Sequence, residues 1–239
     1  MQRRGLSANN KQTMIWILFI GIALLSYAVQ ANLQHKFKRF SREPLASGLT
    51  GREVAEKMLH DNGIYNVTVI STPGQLTDHY NPTNQTVNLS EGVFNSTSVA
   101  AAAVAAHECG HAVQHATAYG PLRLRSALVP VVSMASQVVS WILLAGILLV
   151  QTFPALLLFG IGLFAMTTLF SVITLPVEID ASRRATVWLQ RAGITSNHEQ
   201  PMAVSALRSA AYTYVIAALS SLATLIYYVL IFMGSQRDE

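Results

Sequence analysis

The chain has 239 residues, of which 51% are hydrophobic and 12% charged, with a formal net charge of +4. Its mean hydropathy is positive, which excludes an ordinary soluble domain and favours a membrane protein. The excess of basic residues shows no interleaving with aromatics, so nucleic-acid binding is excluded, and a single cysteine, Cys109, excludes an internal disulfide.

Met14–Gln30 is almost wholly apolar and approaches the ~20 residues that a helix needs to cross a hydrocarbon core. Arg3, Arg4 and Lys11 precede it, as they would a secretory signal. No small-x-small cleavage site follows, and the segment is read as a first membrane span. Thr50 can cap a helix over Gly51–Asp61, where Val54, Ala55, Met58 and Leu59 form an apolar stripe and Asn62-Gly63 is the stop. Tyr65–Ile70 alternates and is predicted to be a strand. Leu76–Tyr80 and Thr86–Leu89 flank a turn at Asn81–Asn84, with Pro82 where a turn tolerates it. Thr86, Val87, Asn88 and Leu89 form the candidate edge strand, along which an extended peptide could add by backbone hydrogen bonding; an ordinary sheet strand is the alternative.

Next comes Ala106-His107-Glu108-Cys109-Gly110-His111, an H-E-x-x-H motif within an alanine-rich run. Ser96, Thr97 and Ser98 are available N-caps, Gly120-Pro121 reads as the stop, and the helix is predicted over about 98–119. His107 and His111, four residues apart, project from one face and can hold one Zn²⁺. Glu108, rotated by about 100°, can reach a metal-bound water as general base without being a ligand. This is an arrangement for metal-assisted hydrolysis of an amide. The longer metzincin pattern is absent, because Gln114 and Thr117 occupy its last Gly and His positions. His115 lies one turn further along the same face. Three His at successive four-residue steps span about 12 Å, too far for one ion, so His115 is read as a support for the site or a helix-packing residue. Cys109 points away from the pair and is read as a small buried thiol.

Ala127–Val150 and Ala155–Val177 are long enough to span, and Gln151–Pro154 between them reads as a tight turn; Ala210–Gly234 is the fourth span. Between the third and fourth spans lies Leu175-Pro-Val-Glu178-Ile-Asp180-Ala-Ser-Arg183-Arg184-Ala185, where Pro176 can sit near the start of a new helix or kink the third span. A carboxylate at a membrane exit is costly unless paired or bound to metal. Glu178 would complete a two-His, one-Glu zinc site with an open fourth position. Asp180 lies about 200° away on a helix, and is either the alternative ligand or a partner of Arg183 or Arg184. Tyr214 and His79 are candidate donors to a developing oxyanion; interfacial anchoring is the other reading of Tyr214.

The resulting fold class is a mainly α membrane protein with four transmembrane helices and a small α+β, zincin-like domain. The expected divisions are 1–31 (N-terminal segment and first span), 32–125 (zincin-like domain), 126–177 (helical hairpin), 178–209 (third-ligand helix and connection), 210–234 (last span) and 235–239 (tail). Four spans put both termini on one side, and residues 32–125 and 178–208 on the other. The surplus of Lys and Arg flanking the second side, from Lys36 to Arg208, makes it cytoplasmic; Arg3, Arg4, Lys11 and Arg237 flank the opposite side. The N-x-Ser/Thr sequons at Asn66, Asn84, Asn88 and Asn95 are then accidents of composition.

Asp78-His-Tyr-Asn-Pro82, Thr86-Val-Asn-Leu-Ser-Glu91, Ser98-Val-Ala-Ala, Ala105-Ala-His-Glu-Cys-Gly-His-Ala-Val-Gln114, Leu175–Ala185 and Ala211-Tyr-Thr-Tyr-Val-Ile-Ala-Ala218 together resemble the YugP-like membrane zinc metallopeptidases of bacteria. The resemblance covers nearly the whole chain. It implies a gluzincin-type neutral zinc metallopeptidase of the bacterial inner membrane, with His107, His111 and Glu178 as ligands and Glu108 as base. More distantly the chain resembles membrane proteases of the HtpX and CAAX-prenyl type. Their glutamate helix carries Asp four residues after the ligand, where this chain has Ser182. The function expected is a membrane-embedded zinc endopeptidase acting on a peptide or membrane-protein substrate within or beside the lipid bilayer. The alternative is a non-catalytic scaffold or chaperone-like adaptor with a structural zinc, for which an intact Glu108 would have no use. A transporter would need ionisable residues within the spans, and these have almost none.

Overall fold

The computed structural model describes residues 2–236. Met1 and residues 237–239 lie outside the described residues, as do the side chains of residues 1–12, 14 and 15. The expectations for Arg3, Arg4, Lys11 and Arg237 fall there. The elements in chain order are α1 (Gln2–Phe40), α2 (Gly51–Asp61), β1 (Thr68–Thr72), β2 (His79–Asn81), β3 (Thr86–Ser90), α3 (Glu91–Phe94), α4 (Val99–Ala116), α5 (Gly120–Leu148), α6 (Pro154–Arg191) and α7 (Gln200–Ser235). They divide into two compact units, one of Met1–Gln30, Ala127–Val172 and Thr213–Glu239, the other of Ala31–Ser126 and Ile173–Tyr212.

The first unit contains membrane helix. Stretches of 25, 29, 38 and 36 residues, in α1, α5, α6 and α7, are long and apolar enough to cross a bilayer. Val139, Leu143, Leu157 and Ile161 form its small core, joined by Phe164, Leu225 and Tyr228. Trp16, Ile17, Leu24, Trp141, Leu148 and Leu158 are exposed, as suits side chains that face lipid and not water. Hydroxyls inside the apolar stretch find partners locally: Thr167 and Thr168 both donate to the Phe164 carbonyl, at 2.8 and 3.0 Å. The protein is therefore a mainly α membrane protein carrying a small α+β unit. Two expectations about helix ends are corrected. Gly120-Pro121 does not end the metal helix; α4 stops at Ala116, and Gly120 opens α5, because proline near a first turn forfeits no helical hydrogen bond. Pro176 does not start a new helix, because α6 runs from Pro154 to Arg191 with this proline inside it.

The second unit is built around α4. Ala100, Ala101, Ala102, Ala103, Ala105, Ala106, Cys109 and Ala112 are all buried at 1% exposure or less. A helix apolar around most of its circumference belongs in the centre of a fold, and its alanines let neighbours approach closely. One neighbour is α2, which brings Val54, Ala55, Met58 and Leu59 into the same core as Val87 and Leu89 of β3. The α2 start is the expected one: the Thr50 side chain accepts from Glu53 N–H, and the Glu53 carboxylate accepts from Thr50 N–H. It ends at Asp61 with Asn62 as its C-cap, followed by Gly63 with φ +70°. The connection after α6 is tied back by Glu199, which accepts from Ala46 N–H at 2.6 Å and Ser196 N–H at 2.7 Å. Burial opposes ionisation of Glu199, but these backbone donors outweigh it and hold its pKa below the usual carboxylate value.

The three strands form one sheet in the order β1-β3-β2. The hairpin of β2 and β3 is antiparallel, with Tyr80 opposite Val87, and β1 pairs in parallel with β3. This corrects the expectation for Thr86, Val87, Asn88 and Leu89. Strand β3 is central and hydrogen-bonded on both sides, so it offers no free edge. Its burial follows: Val87 and Leu89 are fully buried and Asn88 is 8% exposed. The strand expected at Tyr65–Ile70 forms slightly later, at Thr68–Thr72.

Candidate metal centre

Each donor is aimed by a different neighbour. On α4, His107 and His111 stack edge to face with ring centroids 4.8 Å apart. Glu178 comes from α6, whose Val177, Ala181, Ala185 and Leu189, four residues apart in succession, are fully buried. Gly110 lies at this crossing: a Cβ there would come 2.6 Å from the Ala181 carbonyl oxygen. The two helices can pack this closely because position 110 has no side chain. Glu178 Oε2 then lies 3.3 Å from His107 Nε2 and 3.6 Å from His111 Nε2. The three donor atoms fall within 4.8 Å of one another, as one metal ion requires.

The far side of each ring is also held. Gln114 Nε2 donates to the Val177 carbonyl at 2.8 Å and to Asp180 Oδ2 at 2.9 Å, which fixes the amide with its oxygen toward His111 Nδ1, 3.1 Å away. His111 Nδ1–H therefore donates to Gln114, and Nε2 keeps its lone pair for a metal. Ser182 Oγ stands 3.1 Å from His107 Nδ1, so a neutral hydroxyl supports this histidine. Asp180 does not join the donors. Its Oδ2 accepts from Arg184 Nε at 2.6 Å as well as from Gln114, and Arg184 lies over the Tyr119 ring.

Glu108, 8% exposed, accepts at Oε2 from Tyr80 N–H of β2 at 3.0 Å. His115 Nδ1 is 2.8 Å from the Tyr80 hydroxyl, so His115 steadies β2 and lies outside the group of three donors. His79, exposed on β2, has Nδ1 2.7 Å from the Thr77 carbonyl. Because a carbonyl only accepts, Nδ1 carries that proton, and a neutral His79 leaves Nε2 as an acceptor. Tyr214 lies on α7, within the first unit, and is 38% exposed. Cys109 is wholly buried, and burial, reinforced by the Glu108 charge, raises its pKa well above the ordinary thiol value. Burial disfavours an imidazolium at His111, but Glu178 and Glu108 outweigh it and raise its pKa; the site attracts positive charge.

Whether these residues fit a metal is tested by one atom. Glu178 is 3% exposed, and its Oε2 is, among the described residues, the buried side-chain oxygen or nitrogen that no hydrogen bond satisfies. Such an atom costs about 1–3 kcal/mol, and a cation held between it and two imidazole nitrogens would satisfy it. Several residues with roles here escaped the sequence reading, among them Tyr80 and Gly110. Gln114 and Ser182 sit at i+3 from His111 and i+4 from Glu178, spacings that could have flagged them; Arg125, 3.5 Å from Glu178 Oε1, had no such signal.

Residues 15–233 match the family described as "Putative neutral zinc metallopeptidase". The chain is 43% identical over 226 residues to the "Putative membrane protease YugP" of Bacillus subtilis (strain 168), an alignment covering 93% of this chain and 98% of that protein. No solved structure matches the chain. The matches extend through the spans as well as the donor helices, and the donor set of two imidazoles and one buried carboxylate suits zinc: the chain belongs to the neutral zinc metallopeptidase family.

Proposed function

We propose that this protein is a membrane-embedded zinc endopeptidase of the gluzincin type. The observation that carries the reading is the buried, unsatisfied Glu178 Oε2 facing two imidazole nitrogens. His107, His111 and Glu178 would hold the ion, which when bound supplies Lewis-acid polarisation of the scissile carbonyl and acidification of the attacking water. Glu108 takes the proton from that water and returns it to the leaving amine. Tyr80 N–H holds Glu108 Oε2 in place for this transfer. That N–H points away from β3, and in a strand the carbonyl of the same residue points the same way. An extended peptide would therefore add to β2, not β3, and donate to the Tyr80 carbonyl. His79 would stabilise an oxyanion only in its protonated form, since its Nδ1–H is already given to Thr77. The substrate is a peptide or membrane protein.

Glu108→Gln is the test. The variant should keep stoichiometric zinc and lose about 10²–10⁴-fold in peptide hydrolysis, the contribution of a general base, while His107→Ala and His111→Ala should lose the zinc itself. Zinc content unchanged in both His variants would refute the site; full activity in Glu108→Gln would refute Glu108 as the general base, and zinc without any hydrolysis in wild type would favour a structural metal.

We further propose that the second unit faces the cytoplasm of a bacterial plasma membrane, from the Lys and Arg bias flanking the spans. Single cysteines placed at exposed Lys57 and Arg191 should both react only when reagent reaches the inner face. Labelling of the two from opposite faces would contradict a shared side for α4 and Glu178.

A further inference from the structure

Arg125 lies near the start of α5, and its Nη1 is 3.5 Å from Glu178 Oε1. The other oxygen, Oε2, faces the two imidazoles. The carboxylate is thus divided, one oxygen toward a guanidinium and one toward the metal position. The Glu178 side chain is 4% exposed and that of Arg125 is 31% exposed, so water screens this pair less than a surface ion pair. A carboxylate free on both sides can ligate through one oxygen or both. A cation beside Oε1 draws charge to that oxygen and fixes the carboxylate plane.

We propose that Arg125 is a positioning residue that restricts Glu178 to one-oxygen ligation and so preserves an open position for water or a substrate carbonyl. The inference rests on the zinc-peptidase reading. It carries a signature that loss of fold would not produce. Without the guanidinium, Glu178 becomes a stronger donor and is free to use both oxygens, so metal is held at least as tightly while turnover falls. Weakened packing alone would lower both.

The experiment uses the full-length protein in detergent, with zinc and then cobalt as the metal, in wild type, Arg125→Met and Arg125→Lys. Wild type should bind one zinc and show the intense visible absorption of four-coordinate cobalt. Arg125→Met should bind zinc no more weakly than wild type, lose about 10–100-fold in kcat, and show the weaker absorption of a five-coordinate ion. Arg125→Lys, which retains the charge, should keep the wild-type cobalt spectrum. An unchanged cobalt spectrum in Arg125→Met overturns the proposal, as does weaker zinc binding in that variant, or a Lys variant indistinguishable from Met. A rise in KM alone would assign Arg125 to the substrate and also overturn it. A wild type that binds no zinc would defeat the zinc-peptidase reading and this inference with it, whereas zinc binding with an unaltered Met variant defeats only the role of Arg125.

Discussion

Glu178→Ala is expected to remove stoichiometric zinc and all hydrolysis while changing the stability of the metal-free protein far less. The two effects diverge for one reason. Without metal, Glu178 places a buried oxygen against two imidazole nitrogens at 3.3 and 3.6 Å, and no hydrogen bond satisfies it. Its deletion relieves that cost but leaves the Arg125 guanidinium without the carboxylate 3.5 Å away, and the two effects oppose each other. With metal, the same oxygen is the third donor, and two histidines alone do not make a catalytic zinc site. The loss in affinity should well exceed the ~10–100-fold that removal of an outer partner costs. Asp180→Ala and His115→Ala set the scale. Asp180 acts through Gln114 on His111, so its loss should weaken zinc only within that range. His115 touches Tyr80 and should leave zinc affinity unchanged. Metal titration of the four proteins, with thermal unfolding of their metal-free forms, checks the order. Retention of tight zinc by Glu178→Ala, or its loss in His115→Ala, would reassign the third ligand.

Gly110→Ala is expected to be among the most damaging single-methyl additions to the chain. The new Cβ would stand 2.6 Å from the Ala181 carbonyl oxygen and 3.1 Å from its carbonyl carbon and Cα. These are backbone atoms in a helix, so no side chain can swing aside. The helices must separate, at a cost of about 1–3 kcal/mol for overpacking. Separation also acts on chemistry, because His111 and Glu178 ride on the two helices that move apart. A misplacement of about 1 Å can cost 10²-fold in rate. Thermal unfolding and zinc affinity should therefore both fall, with activity falling further. A Gly110→Ala protein with wild-type zinc affinity would mean that the crossing has slack the geometry does not show.

What could be read from sequence was what is local. The H-E-x-x-H spacing, Ser98 as a cap and the alanine run located α4 to within a few residues of its observed Val99–Ala116. Thr50 and Glu53 marked the start of α2, and Pro82 marked the β2–β3 turn. What failed depended on pairing across the chain. The parallel ladder between β1 and β3 joins Thr68 to Thr86, and nothing in the alternation of either strand reveals it. That pairing makes β3 central and leaves β1 and β2 as the outer strands. The unbroken α6 was hidden by Pro176, a residue that breaks helices in water but is tolerated where packing supplies the missing contacts. Arg125 was legible only as a charge beside a span, because its partner lies 53 residues away on another helix.

The lone cysteine has a practical consequence. Cys109 sits on the back of the metal helix with no exposed surface, its Sγ 3.5 Å from the Ala55 carbonyl of α2. A thiol reagent reaches it only when α2 lifts from α4, and then at a rate set by how often that seam opens. The native chain is therefore its own silent background for any cysteine introduced elsewhere. Its one native thiol is a clock for the breathing of the core that carries both histidines, and metal that tightens that core would slow it.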